Sequence, residues 1–264
     1  MNRIEERMQK LKEAGEKALI TYLTAGLPDL EATKDILRAC ERAGCDVVEL
    51  GIPFSDPVAD GPVLQEASCR AIRGGVNVKK VFRTVAELRG EGLELPIVFM
   101  LYYNTVLHYG VEAFTAKCRE AGVDGLIIPD LPYEEQGEIS RCLEGSERTI
   151  LIQLVSPVSG ERIPMLLKGA KGFVYCVSSM GVTGQDADFH REVLSYLTRV
   201  KEVSEVPVMM GFGIRTAKDV RPMEHIIDGA IVGTYFMKQL EKNDYRAETA
   251  EEYCHKFKKE LNCN

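Results

Sequence analysis

The feature that most constrains this chain is an alternation repeated along its length. Short, almost wholly apolar runs are each followed by a Gly/Pro/Asp-rich loop and then by a stretch of helical periodicity. The runs are ALITYL from Ala18, VVEL from Val47, IVFML from Ile97, GLIIP from Gly125, ILIQLV from Ile150, FVYCV from Phe173, VPVMMGFG from Val206 and AIVG from Ala230. Near-continuous apolar runs fit parallel strands covered on both faces. Between the first two, LEATKDILRACERAG sets Ala32, Ile36, Ala39 and Ala43 on one helical face, with Asp29 as N-cap and Gly44 as the stop. About eight β-loop-α units in 264 residues predict an α/β fold, a closed (β/α)₈ TIM barrel. It is expected to span residues 1–264 as a single domain, with an extra N-terminal helix whose buried face is Ile4, Met8 and Leu11. An open doubly wound sheet is disfavoured, because no G-x-G-x-x-G follows the first strand.

Composition narrows the chemistry. A formal net charge of −7 argues against general nucleic-acid binding. A phosphorylated ligand would have to be held locally, by backbone N–H groups or one or two placed cations. The eight cysteines form no C-x-x-C pair and read as reduced, mostly buried thiols of a cytoplasmic protein. The N-terminal stretch lacks the apolar core of a signal peptide, and no run approaches the roughly 18 apolar residues of a membrane span. No membrane or nucleic-acid partner is expected. His108, His190, His225 and His255 lack ligand-like spacing, so neither a metal nor another cofactor is expected. No lysine ends a strand candidate, which argues against Schiff-base chemistry.

In a barrel, chemistry sits at the C-terminal strand ends and the loops after them. The second run ends in Glu49, and the loop IPFSDPVADGP follows, carrying Asp56 and Asp60 and stiffened by Pro53, Pro57 and Pro62. If Glu49 points into the barrel, Val48 faces the helices, and desolvation raises the pKa of Glu49 toward that of a neutral-pH proton carrier. A strand-end glutamate in a salt bridge remains the alternative. Asp60 could equally be the N-cap of the next helix. GFGI (211–214) closes run seven and AIVGT (230–234) closes run eight. Glycines there, followed by helix starts, suit a phosphate held by N–H groups. SSMGVTGQDADF (178–189) is a long polar loop of the kind that forms lids. Tyr102, Tyr103 and Asn104 after run three, and Asp130 after run four, could support the site or merely cap loops.

YLTAGLPD (22–29), VELGIPFSDPVADGPVLQ (48–65), PDLPYEE (129–135), GVTG (181–184) and GFGI (211–214) together make the chain resemble the α chain of tryptophan synthase along nearly its whole length. The resemblance implies retro-aldol cleavage of indole-3-glycerol phosphate to indole and glyceraldehyde 3-phosphate. It also implies a pyridoxal-phosphate-dependent β-chain partner that receives the indole, in an α2β2 tetramer. It makes Glu49 and Asp60 the catalytic acids. Tyr22, Tyr175, Thr183 and Phe212 would contact the substrate. Gly184, Gly213, Gly233 and Thr234 would bind phosphate, and Asp56 and Pro57 would touch and signal to the partner. The chain departs from the pattern at Thr234-Tyr235, where Ser-Ala is usual, and at Ser179, where some members have a basic residue. It departs also at Gln153, expected near the indole, where an apolar residue or proline is usual. Two further readings follow: a stand-alone indole-releasing lyase, and a non-catalytic α-like activator of a β subunit.

Overall fold

The computed structural model of the chain describes residues 2–145, 148–177, 187–211 and 213–263, with residues 187–190 described by their backbone. Among the described residues, nine parallel strands form one sheet: β1 Ala18–Thr24, β2 Val47–Gly51, β3 Ile97–Met100, β4 Gly125–Ile127, β5 Ile150–Leu151, β6 Gln153–Val155, β7 Val174–Val177, β8 Val208–Gly211 and β9 Gly229–Val232. Their order is β5-β4-β3-β2-β1-β9-β8-β7-β6. The two ends of that order are β5 and β6, which are halves of one extended segment parted only by Ile152. Its first half pairs with β4 and its second with β7, and Ile152 N–H still donates to Leu126 O at 2.9 Å. The sheet is therefore an eight-segment barrel, as the apolar runs predict.

Strand parity builds two layers. Ala18, Ile20, Val47, Val98, Ile127, Ile150, Ile152, Phe173, Met209 and Ile231 form one buried cluster inside the ring. Their neighbours, such as Leu19, Val48, Leu50 and Phe99, join the larger cluster under the helices. The helix Arg3–Ala14 sends Ile4, Met8 and Leu11 into the inner cluster and so plugs the end of the barrel where the strands begin.

Three aspartates lock that end. Asp46, Asp124 and Asp228 stand just ahead of β2, β4 and β9, and each accepts the N–H of a residue at the start of a neighbouring strand segment: Leu19 (2.7 Å), Ile97 (2.8 Å) and Val208 (2.7 Å). Asp46 also pairs with Arg7 (2.9 Å) and Lys258 (2.8 Å), and Asp124 with Arg3 (3.0 Å) and Arg89 (2.6 Å). Arg3 and Arg7 lie one helical turn apart, so the plugging helix is held by two buried carboxylates. Burial raises the pKa of both, and the arginines and lysine work against it.

Two elements differ from expectation. Where a helix is expected after β8, the chain makes two single-turn 3₁₀ segments, Ala217–Asp219 and Arg221–Met223, and Pro222, in the first turn of the second, cannot donate a bond back to the first. After β3 an unexpected seven-residue helix, Tyr103–Tyr109, forms. All eight cysteines are free, and Cys40, Cys45 and Cys254 are buried.

Candidate active site

Parity carries Glu49 to the inside of the barrel, one step above Val47 and directly beside Tyr22 of β1 in the register. Glu49 is 1% exposed, and neither carboxylate oxygen has a hydrogen-bond partner among the described residues. Buried polar atoms are almost always satisfied, so an orphaned carboxyl marks a place kept for something else. Burial pushes its pKa up to about 8, with a smaller push from Cys45. At pH 7 Glu49 is thus mostly the neutral acid, able to give a proton and take one back. The salt-bridge alternative falls away: no cation is among the groups acting on it.

Two phenols flank it. Tyr22 is buried, and its hydroxyl accepts from Thr24 Oγ1 at 3.3 Å. Tyr175 has the same inward parity on β7 and packs against the inner cluster. Desolvation raises the pKa of both, and the nearby Glu49 and Asp60 add to it, so they act here as neutral phenols. Each lies across a glycine. A Cβ on Gly51 would meet the Tyr22 hydroxyl at 2.1 Å, and one on Gly211 would meet that of Tyr175 at 2.5 Å. Those glycines end β2 and β8 because the rings need the room.

Asp60 stands at the rim, half-buried. It is not a helix cap: the N-cap of the helix Pro62–Arg73 is Gly61, with no side-chain cap bond. Burial raises the pKa of Asp60, and the Tyr102 hydroxyl lowers it. Asp56 is exposed and accepts from Ser55 Oγ at 2.5 Å, while Pro57 is buried. Asp130 proves to be a cap, its Oδ1 taking Tyr103 N–H at 2.9 Å.

Across the mouth, Gly213 has φ 73°, and a Cβ there would meet no atom of the described residues within 4 Å, a conformation natural to glycine. Gly233 is the N-cap of the helix Thr234–Lys242, which has no side-chain cap. The first-turn N–H groups there keep their donor capacity for an anion. A Cβ on Gly233 would reach Tyr22 Cβ at 3.6 Å, so this anion cradle adjoins the pocket of the two acids. Tyr235 does not crowd it, because its ring leans on Tyr253 of the last helix, centroids 6.1 Å apart. Thr183, Gly184 and Ser179 of the polar loop, and Phe212, lie outside the described residues.

Gln153 corrects an expectation. Ile150, Ile152 and Leu154 share the inward parity, so Gln153 points outward, where its Nε2 donates to Gln136 Oε1 at 2.9 Å. The inward neighbour near the mouth is Leu154. Sequence reasoning also left Tyr102 uncommitted, although it touches Asp60; its only signal was a tyrosine just past a strand end.

Large apolar side chains are exposed on the same rim. Val58 (82%), Leu107 (52%) and Val158 (85%) sit in the segments that follow β2, β3 and β6, on one side of the barrel with the β4 sector between the last two. No helix among the described residues is long and apolar enough to cross a membrane.

Comparison with known proteins agrees with this geometry. A family model described as tryptophan synthase alpha chain matches residues 8–263. The tryptophan synthase alpha chain of Lachnospira eligens is 63% identical over 263 residues, covering 99% of this chain and all of that one. That of Alkaliphilus metalliredigens is 45% identical over 241 residues, 91% of this chain and 90% of the relative. The crystal structure of tryptophan synthase subunit alpha from Legionella pneumophila superposes with a TM-score of 0.89 at 32% identity, covering 99% of this chain and 98% of that one.

Proposed function

The chain belongs to the tryptophan synthase alpha chain family, and from that premise we propose that Glu49 and Asp60 carry the family's reaction at the mouth of its barrel. It is a lyase acting on indole-3-glycerol phosphate, releasing indole and glyceraldehyde 3-phosphate. The observation that carries the assignment is the pair of buried, unpartnered oxygens on Glu49.

The neutral carboxyl of Glu49 gives its proton to C3 of the indole ring. Positive charge then develops toward the ring nitrogen, and the Asp60 carboxylate accepts the N–H there and stabilises that charge. The bond between C3 and the glycerol chain breaks, and its electron pair returns to the ring as indole. The glycerol hydroxyl loses its proton to the Glu49 carboxylate and becomes the aldehyde of glyceraldehyde 3-phosphate. Glu49 ends neutral, as it began. Tyr22 and Tyr175 bound the ring pocket, with Phe212 and the lid residue Thr183 completing it. The phosphate rests on the N–H groups of Gly184, Gly213, Gly233 and Thr234.

The partner is a tryptophan synthase β chain, in an α2β2 tetramer. Its support is the apolar rim of Val58, Leu107 and Val158, beside Asp56 and Pro57 on the loop that carries Asp60; exposed apolar clusters mark interaction sites. Cytoplasmic residence suits eight free thiols. The motives for a stand-alone lyase weaken, since Gln153 faces away from the pocket and Tyr235 away from the phosphate cradle.

Titration with indole propanol phosphate, a substrate mimic, tests the pocket. It should bind the purified chain, and bind less well to Gly213→Val. Failure of the parent chain to bind would point to a different phosphorylated substrate. Added β chain should raise the rate of indole release; no change on mixing would favour the stand-alone reading.

A further inference from the structure

We infer that Tyr102 is a positioning residue for Asp60: one side chain fastens both ends of the 54–60 loop to the end of β3 and holds the Asp60 carboxylate in place at the rim. The Phe54 ring stacks on the Tyr102 ring, centroids 5.1 Å apart and planes 22° from parallel. At the other end, Ala59 N–H donates to the Tyr102 hydroxyl at 2.9 Å. That hydroxyl has accepted one bond, so its own hydrogen is left for the carboxylate beside it, Asp60.

The post is tied into the barrel by backbone bonds that reach neighbouring segments. Leu101 N–H donates to Ile127 O at 3.0 Å, and Thr105 N–H to Tyr102 O at 3.0 Å. Tyr103 N–H is held by Asp130, and Tyr102 is 5% exposed. The loop's own backbone bonds are short-range turns, Val58 N–H to Asp56 O and Asp60 N–H to Pro57 O. Besides Tyr102, the side chain from outside the loop that bonds it among the described residues is Gln65, to Asp60 O.

The charge balance makes the hydroxyl matter. Asp60 is faced by Glu49 from β2, Tyr22 from β1, Tyr175 from β7 and Tyr102 from the end of β3. None of these is a cation. Burial favours the protonated form of Asp60, and the Tyr102 hydroxyl is the group that favours the ionised form. An Asp60 that must stabilise a developing positive charge has to be ionised. This step rests on the role proposed above for Asp60.

The test is Tyr102→Phe, which keeps the ring stack and removes the hydroxyl that accepts Ala59 N–H and favours the ionised Asp60, assayed in the complex with a β chain. The kcat for indole release should fall on the order of tenfold, since the group that favours the ionised carboxylate is lost. KM should stay within about twofold, because the phosphate and ring contacts remain. The acid limb of the pH–kcat profile should move to higher pH, as Asp60 now protonates more readily. In an Asp60→Asn background the same change should add nothing further. An unmoved acid limb with kcat within about twofold of the parent, while Asp60→Asn itself is crippled, overturns the inference and leaves the Asp60 assignment standing. A fully active Asp60→Asn overturns that assignment instead. The geometry is then still read by amide exchange at Ala59, which should speed up at least about tenfold in Tyr102→Phe; unchanged exchange overturns the fastening outright.

Discussion

Replacing Glu49 by Gln should make the folded chain more stable at high pH while destroying its chemistry. At about 1.36 kcal/mol per pH unit, the climb of the Glu49 pKa from the ordinary 4.5 to about 8 amounts to about 5 kcal/mol against its ionised form in the folded state. The sign follows from proton binding. Between pH 4.5 and 8 the folded chain keeps a proton on Glu49 that the unfolded chain releases, so stability falls as pH rises across that window and levels off above it. Glutamine has nearly the same shape and no titration. Its buried amide carries a penalty of about 1–3 kcal/mol for unmade hydrogen bonds, and that penalty does not change with pH. The readout is therefore the pH dependence of the difference. Urea unfolding of parent and Glu49→Gln at pH 5, 7 and 9 should show the variant gaining on the parent by about 4 kcal/mol between pH 5 and pH 9. A difference that stays constant across the three pH values would refute the claim that Glu49 is held neutral by burial.

Other perturbations read other parts of the molecule. Asp124→Asn leaves Arg89 and Arg3 without their carboxylate and should cost about 3 kcal/mol of unfolding free energy in urea; a loss under about 1 kcal/mol would mean the barrel end is held by packing alone. Gly51→Ala puts a methyl 2.1 Å from the Tyr22 hydroxyl and should lower kcat/KM by roughly tenfold to a hundredfold; near-parental turnover would show that Tyr22 moves without consequence. Leu107→Asp together with Val158→Asp should weaken β-chain association at least about tenfold, as judged by titration calorimetry, because charges enter an apolar contact. Indole release by the isolated chain should be unaffected by that pair, and unaltered association would exclude this rim as the docking face.

Much of the barrel is legible in the sequence because parallel strands buried on both faces must be apolar throughout, and eight such runs recur. The same property hides parity. In ILIQLV nothing marks which residues face inward, and Gln153 is misassigned to the pocket for that reason; its partner Gln136 is remote in sequence. Closure is also invisible, since it depends on one segment bonding β4 with its first half and β7 with its second. The locking aspartates carry a signal that could have been used: A-G-x-D precedes both β2 and β4. Glu49 stands out as an acid ending an apolar run, but its lack of a partner among the described residues is a fact of three dimensions. Tyr102 gives no periodic signal, because the helix after it is a single seven-residue piece.

The most direct test of Glu49 as the proton carrier is single-turnover indole release from indole-3-glycerol phosphate, measured from pH 6 to 10 with the purified chain and with Glu49→Gln. The parent rate should decline above about pH 8, where Glu49 gives up its proton, and the variant should be slower by at least about a hundredfold at every pH. A variant that releases indole as fast as the parent, or a parent rate that runs flat through pH 8, would contradict the role assigned to Glu49.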